Sequence, residues 1–206
     1  MKVLVACEFS GIVRNAFRAQ GCDAWSCDLL PAEDNSQFHF QCDARELNLR
    51  DWDLLIAHPP CTRLCNSGVR WLSAPPRGKT LKEMWADLDE GAELFSYFLN
   101  APTPHVCIEN PTMHKYAKER IKNYCEPRQA IQPWQFGDAE SKRTCLWLRN
   151  LPPLKRKIYR RPHNVSTKVH LSPQTKDRWK NRSRFFPSVA AEMAKQWTAY
   201  IKGEAK

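Results

Sequence analysis

Three residues of this chain have the types and surroundings that covalent chemistry on a polar ring would need. Cys61 follows Pro59 and Pro60, and two prolines stiffen a turn and fix where the next side chain points. A thiol placed there can act as a nucleophile. Glu109 puts a carboxyl after a later strand, and Arg143 opens another strand with a fixed cation. Taken singly, each also has a plain structural interpretation: an inert buried thiol, a helix-capping carboxylate and a surface arginine.

A second group of residues is typical of a cofactor site. Gly11 follows the first predicted strand, where a glycine lets the backbone approach a ligand closely. Asp28 ends the second strand, where an acid can hold ribose hydroxyls, and Asp43 ends the third, where a carboxylate can accept from an adenine amino group. Either aspartate alone would be read as a turn or cap residue. Because no phosphate cradle is present, the pattern favours a nucleoside ligand such as S-adenosylmethionine over a dinucleotide.

The elements that must position these residues alternate along the chain. Helices are predicted from residue 12 to about 20, over about 79–100, at Met113–Ile121 and over about 187–202. The predicted strands are Lys2–Cys7, Asp23–Cys27, Gln37–Cys42, Trp52–Ala57, His105–Ile108, Ala130–Phe136 and Arg143–Leu148. This alternation predicts an α/β fold, a mixed and mostly parallel sheet with helices on both faces. Ligands of such sheets bind beyond the carboxyl ends of the strands.

Length, charge and cysteine content narrow the class of protein. The 206 residues predict one domain, and 42% hydrophobic residues suffice for a core. No apolar run is long enough to predict a membrane span. The net charge of +10 comes mainly from residues 142–184 and indicates a polyanionic partner, although a solvated basic surface would look the same. Nine cysteines without paired spacings predict free thiols, a reducing cytoplasm and no metal site.

Together these motifs resemble the DNA cytosine-5 methyltransferases. Pro60-Cys61 and the residues after it look like that family's nucleophile motif and mobile loop, and Glu109-Asn110-Pro111 is similar to its Glu-Asn-Val motif. Phe9-Ser10-Gly11 looks like a shortened cofactor loop, and Glu140 to Arg143 resembles an arginine motif with one arginine kept. The tetrad of the family's final motif is missing. The chain looks especially like compact, phage-type members that carry His-Pro-Pro-Cys.

The resemblance implies a Rossmann-like S-adenosylmethionine-dependent fold and a defined chemistry. The Cys61 thiolate would add to C6 of cytosine, Glu109 would act at N3 and the amino group, and Arg143 would assist at O2. We therefore expect a raised pKa for Glu109 and a lowered pKa for Cys61. The target base would be flipped out of a duplex. The expected cofactor-binding residues are Phe9, Ser10, Gly11, Asp28, Asp43 and Pro59.

The resemblance also implies DNA as the partner. The whole chain, 1–206, would be one methyltransferase domain in which a short basic insert, 150–185, replaces the family's target-recognition domain. The predicted nucleic-acid contacts are Arg63, Arg70, Lys142, Arg156, Arg160, Arg161 and Lys168. A monomer without an obligate protein partner is expected.

Three alternatives remain open at this point. The same cysteine chemistry could act on RNA or a free nucleotide. Methyl transfer to an exocyclic amino group would leave Cys61 and Glu109 without a role. A non-catalytic relative would bind nucleic acid through its basic segment alone.

Overall fold

A seven-stranded sheet forms the centre of the computed structural model, which describes residues 1–167 and 178–204. The strand order is β3-β2-β1-β4-β5-β7-β6. The strands are β1 (Lys2–Ala6), β2 (Asp23–Asp28), β3 (His39–Gln41), β4 (Leu54–Ala57), β5 (His105–Asn110), β6 (Gln129–Ile131) and β7 (Thr144–Arg149).

Helices cover both faces of the sheet. In the described residues they are α1 (Ile12–Ala19), α2 (Leu81–Leu99), α3 (Lys115–Arg120), α4 (Arg178–Ser183) and α5 (Pro187–Ile201). Short 3-10 turns lie at Ala44–Glu46, Leu49–Asp51, Val69–Leu72 and Pro133–Gln135. None of these helices is long and apolar enough to cross a membrane.

The direction of the strands decides which residues meet. The first five strands in the spatial order pair in parallel, whereas β7 runs antiparallel to both β5 and β6. Asn110, the last residue of β5, lies opposite Cys145, near the start of β7. The carboxyl ends of the parallel strands and the residues that precede β7 therefore share one rim of the sheet, which we call the carboxyl edge.

Two apolar layers hold the sheet between the helices. On one face α2 packs Leu88, Phe95 and neighbouring side chains against β4 and β5. On the other face Phe17 of α1 and Trp197 of α5 pack against β1 and β4, and both are fully buried. Strands β1 and β4 are buried on both faces, which accounts for their continuous apolar runs.

Several predicted boundaries differ from the observed ones for local reasons. β5 extends through Asn110, so Glu109 lies within the strand rather than after it. The predicted helix at Met113 starts at Lys115, because the His114 side chain caps it by accepting from Ala117 N at 3.1 Å. The strand predicted at Ala130–Phe136 stops at Ile131, since Pro133 begins a 3-10 turn and has no N–H to donate.

The described part of the predicted basic insert crosses the side of the molecule. It leaves β7 at the edge opposite the carboxyl edge, where Arg149 pairs with Val106. Buried Leu151 and Leu154 anchor it to the α5 layer. It returns to the carboxyl edge at Ser166, which pairs with Glu140.

Candidate active site at the carboxyl edge

Cys61 and Glu109 lie at the ends of neighbouring strands. β4 ends at Ala57, and the Asn110 side chain donates to the Pro59 carbonyl at 2.8 Å, which fastens the proline turn to β5. Pro59 is buried and Cys61 is half-buried. The Cys61 carbonyl accepts from Leu64 N and Cys65 N at 3.0 and 3.1 Å, so a tight turn follows the thiol. The thiol and the Glu109 carboxylate are close enough to interact electrostatically.

Glu109 is surrounded by groups that favour its charged form. Burial alone would raise its pKa, but the His58 hydrogen bond at 3.4 Å, the Lys142 ammonium and a hydrogen bond donated by Thr144 outweigh it. The pKa of Glu109 is therefore lowered, opposite to the expectation from the sequence. The expectation took account of burial and not of these three partners. A lowered pKa makes this side chain a hydrogen-bond acceptor at neutral pH.

Cys61 shares its thiol environment with Cys65. The hydrogen bond with Cys65, burial and the Glu109 charge all raise the pKa of Cys61, also opposite to expectation. The same hydrogen bond, helped by Ser67 and the Gly68 amide, lowers the pKa of Cys65 to about 5 against the effect of burial. The two thiols therefore titrate as a pair, in which the turn after Cys61 favours the thiolate form of Cys65.

Lys142, rather than Arg143, faces the site. Arg143 is exposed, and no contact joins it to Glu109 or Cys61 in the part of the chain that the structure describes. Side chains alternate at the start of β7, and Thr144 points toward Glu109. The Lys142 ammonium lowers the pKa of both Glu109 and Cys61, and it donates to the Arg182 carbonyl at 3.0 Å.

The loop after β1 is built around Glu8. This buried carboxylate accepts from Val13 N at 2.6 Å and Arg14 N at 3.1 Å, which satisfies the first amides of α1. Burial raises its pKa against the effects of His58 and these two amides. Gly11 has a φ of +69°, and a Cβ there would lie 2.3 Å from the Arg14 guanidinium. The loop therefore requires glycine at position 11.

The other predicted cofactor residues surround this loop. Phe9 is buried and its carbonyl accepts from Glu33 N at 3.0 Å, while Ser10 is half-buried. Asp28 ends β2, and burial raises its pKa although Leu30 N donates to it at 3.0 Å.

Asp43 makes contacts within its own segment. Its side chain caps the 3-10 turn at Ala44–Glu46 and forms an ion pair with Arg45 at 2.5 Å, which lowers its pKa. The structure thus gives Asp43 the capping interaction that the sequence offered as its alternative interpretation.

The residues predicted to contact nucleic acid differ in their exposure and in their contacts with other side chains. Arg63 pairs with Asp87 of α2 at 3.2 Å. Arg70 is exposed and lies 4.3 Å above the ring of Trp71. The three arginines predicted in the insert, at positions 156, 160 and 161, are exposed. Lys168 lies outside the described residues.

Four residues at this site were not among the predicted ones: Glu8, His58, Cys65 and Thr144. The sequence did place Glu8 at a strand end and His58 next to the prolines. Their partners, however, lie on other strands. The His58–Glu109 contact, for example, spans 51 positions. All nine cysteines are free thiols.

Comparison with solved structures identifies the fold. A methyltransferase of Entamoeba histolytica, EhMeth, superposes with a TM-score of 0.51 at 16% identity, covering 85% of this chain and 60% of its own. A proposed DNA modification methyltransferase encoded within an E. coli prophage has a TM-score of 0.45 at 14% identity, with 72% and 46% coverage. The S. pombe Dnmt2 methyltransferase gives 0.44 at 15% identity, with 88% and 62% coverage.

The predicted fold class is confirmed: this is the Rossmann-like fold of S-adenosylmethionine-dependent methyltransferases, with a mixed, mostly parallel sheet. The chain spans about 60% of the length of EhMeth. No family model matches the chain, and no curated protein matches it in sequence.

Proposed function

We propose that this chain transfers a methyl group from S-adenosylmethionine to C5 of cytosine in DNA, through a transient bond between Cys61 and C6 of the ring. One observation carries the proposal. The half-buried Cys61 thiol follows β4, and the Glu109 carboxylate lies near the end of the adjacent β5, so both are at the carboxyl edge. These two groups interact with each other and with Lys142. This is the edge where ligands of parallel α/β sheets bind.

The residues at the ends of β1 and β2 fit the proposed cofactor. Glu8 already occupies the first amides of α1, so that helix end has little to offer a phosphate. The carboxylates of Glu8 and Asp28 instead suit a cationic nucleoside with free ribose hydroxyls. Gly11 and the Phe9 backbone would form the floor of this site. S-adenosylmethionine, when bound, supplies an electrophilic methyl group.

The remaining groups divide the chemistry between them. The Cys61 sulfur forms a bond to C6, which makes C5 nucleophilic. Glu109 accepts from the amino group and exchanges a proton at N3. Lys142 stabilises the negative charge that develops on the ring, the role that the sequence assigned to Arg143. Cys61 and Cys65 share a proton through their hydrogen bond, and this proton stays with Cys65 while the Cys61 sulfur is bonded to C6. After methyl transfer, the C5 proton passes to water and the C6–S bond breaks, which restores the ring. The Cys61 thiolate then regains its proton from Cys65.

The insert supports nucleic acid as the substrate. Residues 150–167 and 178–185 are strongly basic and return to the carboxyl edge at Ser166, beside Lys142. Exposed arginines that can neutralise phosphates bind any sequence. So short a segment supports relaxed sequence choice or a very short recognition site.

Covalent trapping tests this function. DNA containing 5-fluorocytosine cannot release the enzyme after methyl transfer, because the fluorine at C5 replaces the proton that must leave. We expect a denaturation-resistant protein–DNA adduct that requires S-adenosylmethionine. The adduct should disappear in Cys61→Ala and persist in Cys125→Ala, the matched control, since Cys125 is exposed and lies between α3 and β6.

The same assay separates the alternatives. An adduct with RNA or with free nucleotide, but not with DNA, changes the substrate and retains the mechanism. DNA binding that survives Cys61→Ala, with no adduct in the wild type, indicates a non-catalytic relative. Methylation of an exocyclic amino group without any adduct overturns the cysteine mechanism.

A further inference from the structure

His58 occupies a fixed, buried position between β4 and β5. It directly follows β4, and its amide donates to the Ala6 carbonyl at 3.0 Å. Its Nδ1 lies 3.4 Å from Glu109 Oε2. The ring centroid lies 4.9 Å from that of Phe185, and only 9% of the His58 side chain is exposed. The imidazole can therefore reach Glu109 but has little freedom to turn away.

The other ring nitrogen has no structural role. Nε2 is buried and has no hydrogen-bond partner in the described part of the chain. Leaving a buried polar atom without a partner is costly, so native structures rarely do so without a functional reason. A histidine that served only to pack the turn would be replaced by an apolar ring at lower cost.

Two carboxylates face His58 from neighbouring strands. Glu8 faces it from the end of β1 and Glu109 from β5, and each carboxylate is stabilised by the imidazole. On the opposing side, Lys142 and Thr144 face the shared Glu109 from β7. Two carboxylates and one ammonium leave a net negative environment for the imidazole.

The proposed chemistry leaves one proton without a source. Glu109 is held as a carboxylate, which has acceptors only, yet N3 of cytosine must gain a proton when sulfur adds at C6. Among the described residues, His58, Lys142 and Thr144 stabilise the Glu109 carboxylate. Thr144 is not an acid at neutral pH, and Lys142 is engaged with the Arg182 carbonyl. Histidine is the side chain best suited to give and regain a proton near pH 7.

We propose that His58 is the positioning residue and proton partner of Glu109, an inference that rests on the proposed function and deepens it. As sulfur adds to C6, the Nδ1–H bond of the imidazolium breaks and a proton passes to Glu109 Oε2. The other carboxyl oxygen of Glu109, or the same one after exchange, delivers a proton to N3. When the C6–S bond breaks, N3 loses that proton and it returns through Glu109 to Nδ1.

Methyl transfer measured as a function of pH tests this proposal. Single-turnover rates are compared for wild type, His58→Asn and His105→Asn between pH 5 and 9. Asparagine at position 58 retains an amide donor toward Glu109 but cannot carry a titrating proton. His105 is the matched control, because it lies on the same strand as Glu109 but at the opposite edge, bonded to Asn150 O.

For His58→Asn we expect a rate about 100-fold lower at pH 7, the usual scale of a lost proton donor. The remaining rate should rise as the pH falls, because Glu109 must then take its proton directly from solvent. His105→Asn should keep the wild-type rate and profile. A His58→Asn variant with a wild-type profile and a rate within threefold of wild type overturns the proposal.

A second measurement is independent of activity and of the fold of that variant. In wild-type protein labelled with ¹⁵N-histidine, the ring signals of His58 report its titration directly. Glu109→Gln removes the carboxylate partner and should shift the His58 titration to lower pH, while His105 stays unchanged. An unchanged His58 titration overturns the pairing. If wild-type protein forms no adduct with 5-fluorocytosine DNA, RNA or nucleotide, the proposed function fails, whatever the outcome of this titration.

Discussion

Thr144→Val isolates one contact to the buried Glu109 carboxylate. Valine has nearly the shape of threonine, and Thr144 is only 5% exposed, so the substitution mainly removes the hydroxyl that donates to Glu109. A hydrogen bond to a charged group contributes about 1.5–3 kcal/mol. For a chain of this length that corresponds to a fall in Tm of roughly 3–12 °C.

The loss of stability in Thr144→Val depends on pH, in a direction set by the lowered pKa of Glu109. A carboxyl whose pKa is lower in the folded state stabilises the protein above its unfolded-state pKa, about 4.3. That stabilisation disappears as the pH falls through the folded-state pKa. Thr144→Val should therefore cost most near pH 7.5 and less near pH 3, below the unfolded-state pKa.

Urea unfolding at the two pH values measures this difference. Thr103→Val is the matched control: Thr103 is equally buried, but its hydroxyl donates to the neutral Leu49 carbonyl at 2.7 Å. Its cost should be about 0.5–1.5 kcal/mol and independent of pH. In a double-mutant cycle with Glu109→Gln, the coupling to Thr144 should exceed about 1 kcal/mol. Equal, pH-independent costs for the two valine variants would refute the electrostatic account of Glu109.

Three further predictions concern the loop and the insert. Gly68→Ala should lower the rate of covalent trapping at least tenfold, because the new Cβ would lie 2.1 Å from the Thr62 carbonyl oxygen and would distort the turn after Cys61. Gly91→Ala is the control and should leave the trapping rate unchanged, because its Cβ would meet only a side chain, at 3.4 Å. Iodoacetamide at pH 6.5 should alkylate Cys65 first among the five buried thiols, as read by peptide mass spectrometry, because its pKa is about 5 whereas burial raises the pKa of Cys27 and Cys107. Equal labelling of the buried thiols would contradict this. Arg156→Ala should reduce the slope of log affinity for duplex DNA against log salt concentration by about 0.9, and an unchanged slope would place the phosphate contact elsewhere.

The sheet and the residues gathered at its carboxyl edge could be predicted, because local sequence patterns determine them. Continuous apolar runs indicate strands buried on both faces, and parallel strands bring the residues that follow them to one edge. For this reason the sequence predicted that Cys61 and Glu109 lie at the same edge of the sheet. The amphipathic pattern of the last helix likewise predicted the buried positions Val189, Met193 and Trp197.

The electrostatics of the site could not be predicted in the same way. The direction of a strand cannot be read from an apolar run, so the sequence did not show that β7 is antiparallel. Because β7 starts at the carboxyl edge, Lys142, which precedes it, and Thr144, its first residue, both lie there. The pKa expectations for Cys61 and Glu109 had the wrong sign because both were taken from what the implied chemistry requires, without the neighbours that the fold supplies. Their shifts depend on neighbours, one of them four residues along the chain and the others on different strands.

The reversal of β7 also fixes the route of the basic segment. Because β7 delivers the chain to the far edge at Arg149, the segment must climb back along the flank to reach Ser166. Six strand residues span about 20 Å, and a polynucleotide strand advances about 3.4 Å per nucleotide. The flank is therefore about as long as six nucleotides, which is the length of DNA strand that the proposed function would place along this segment.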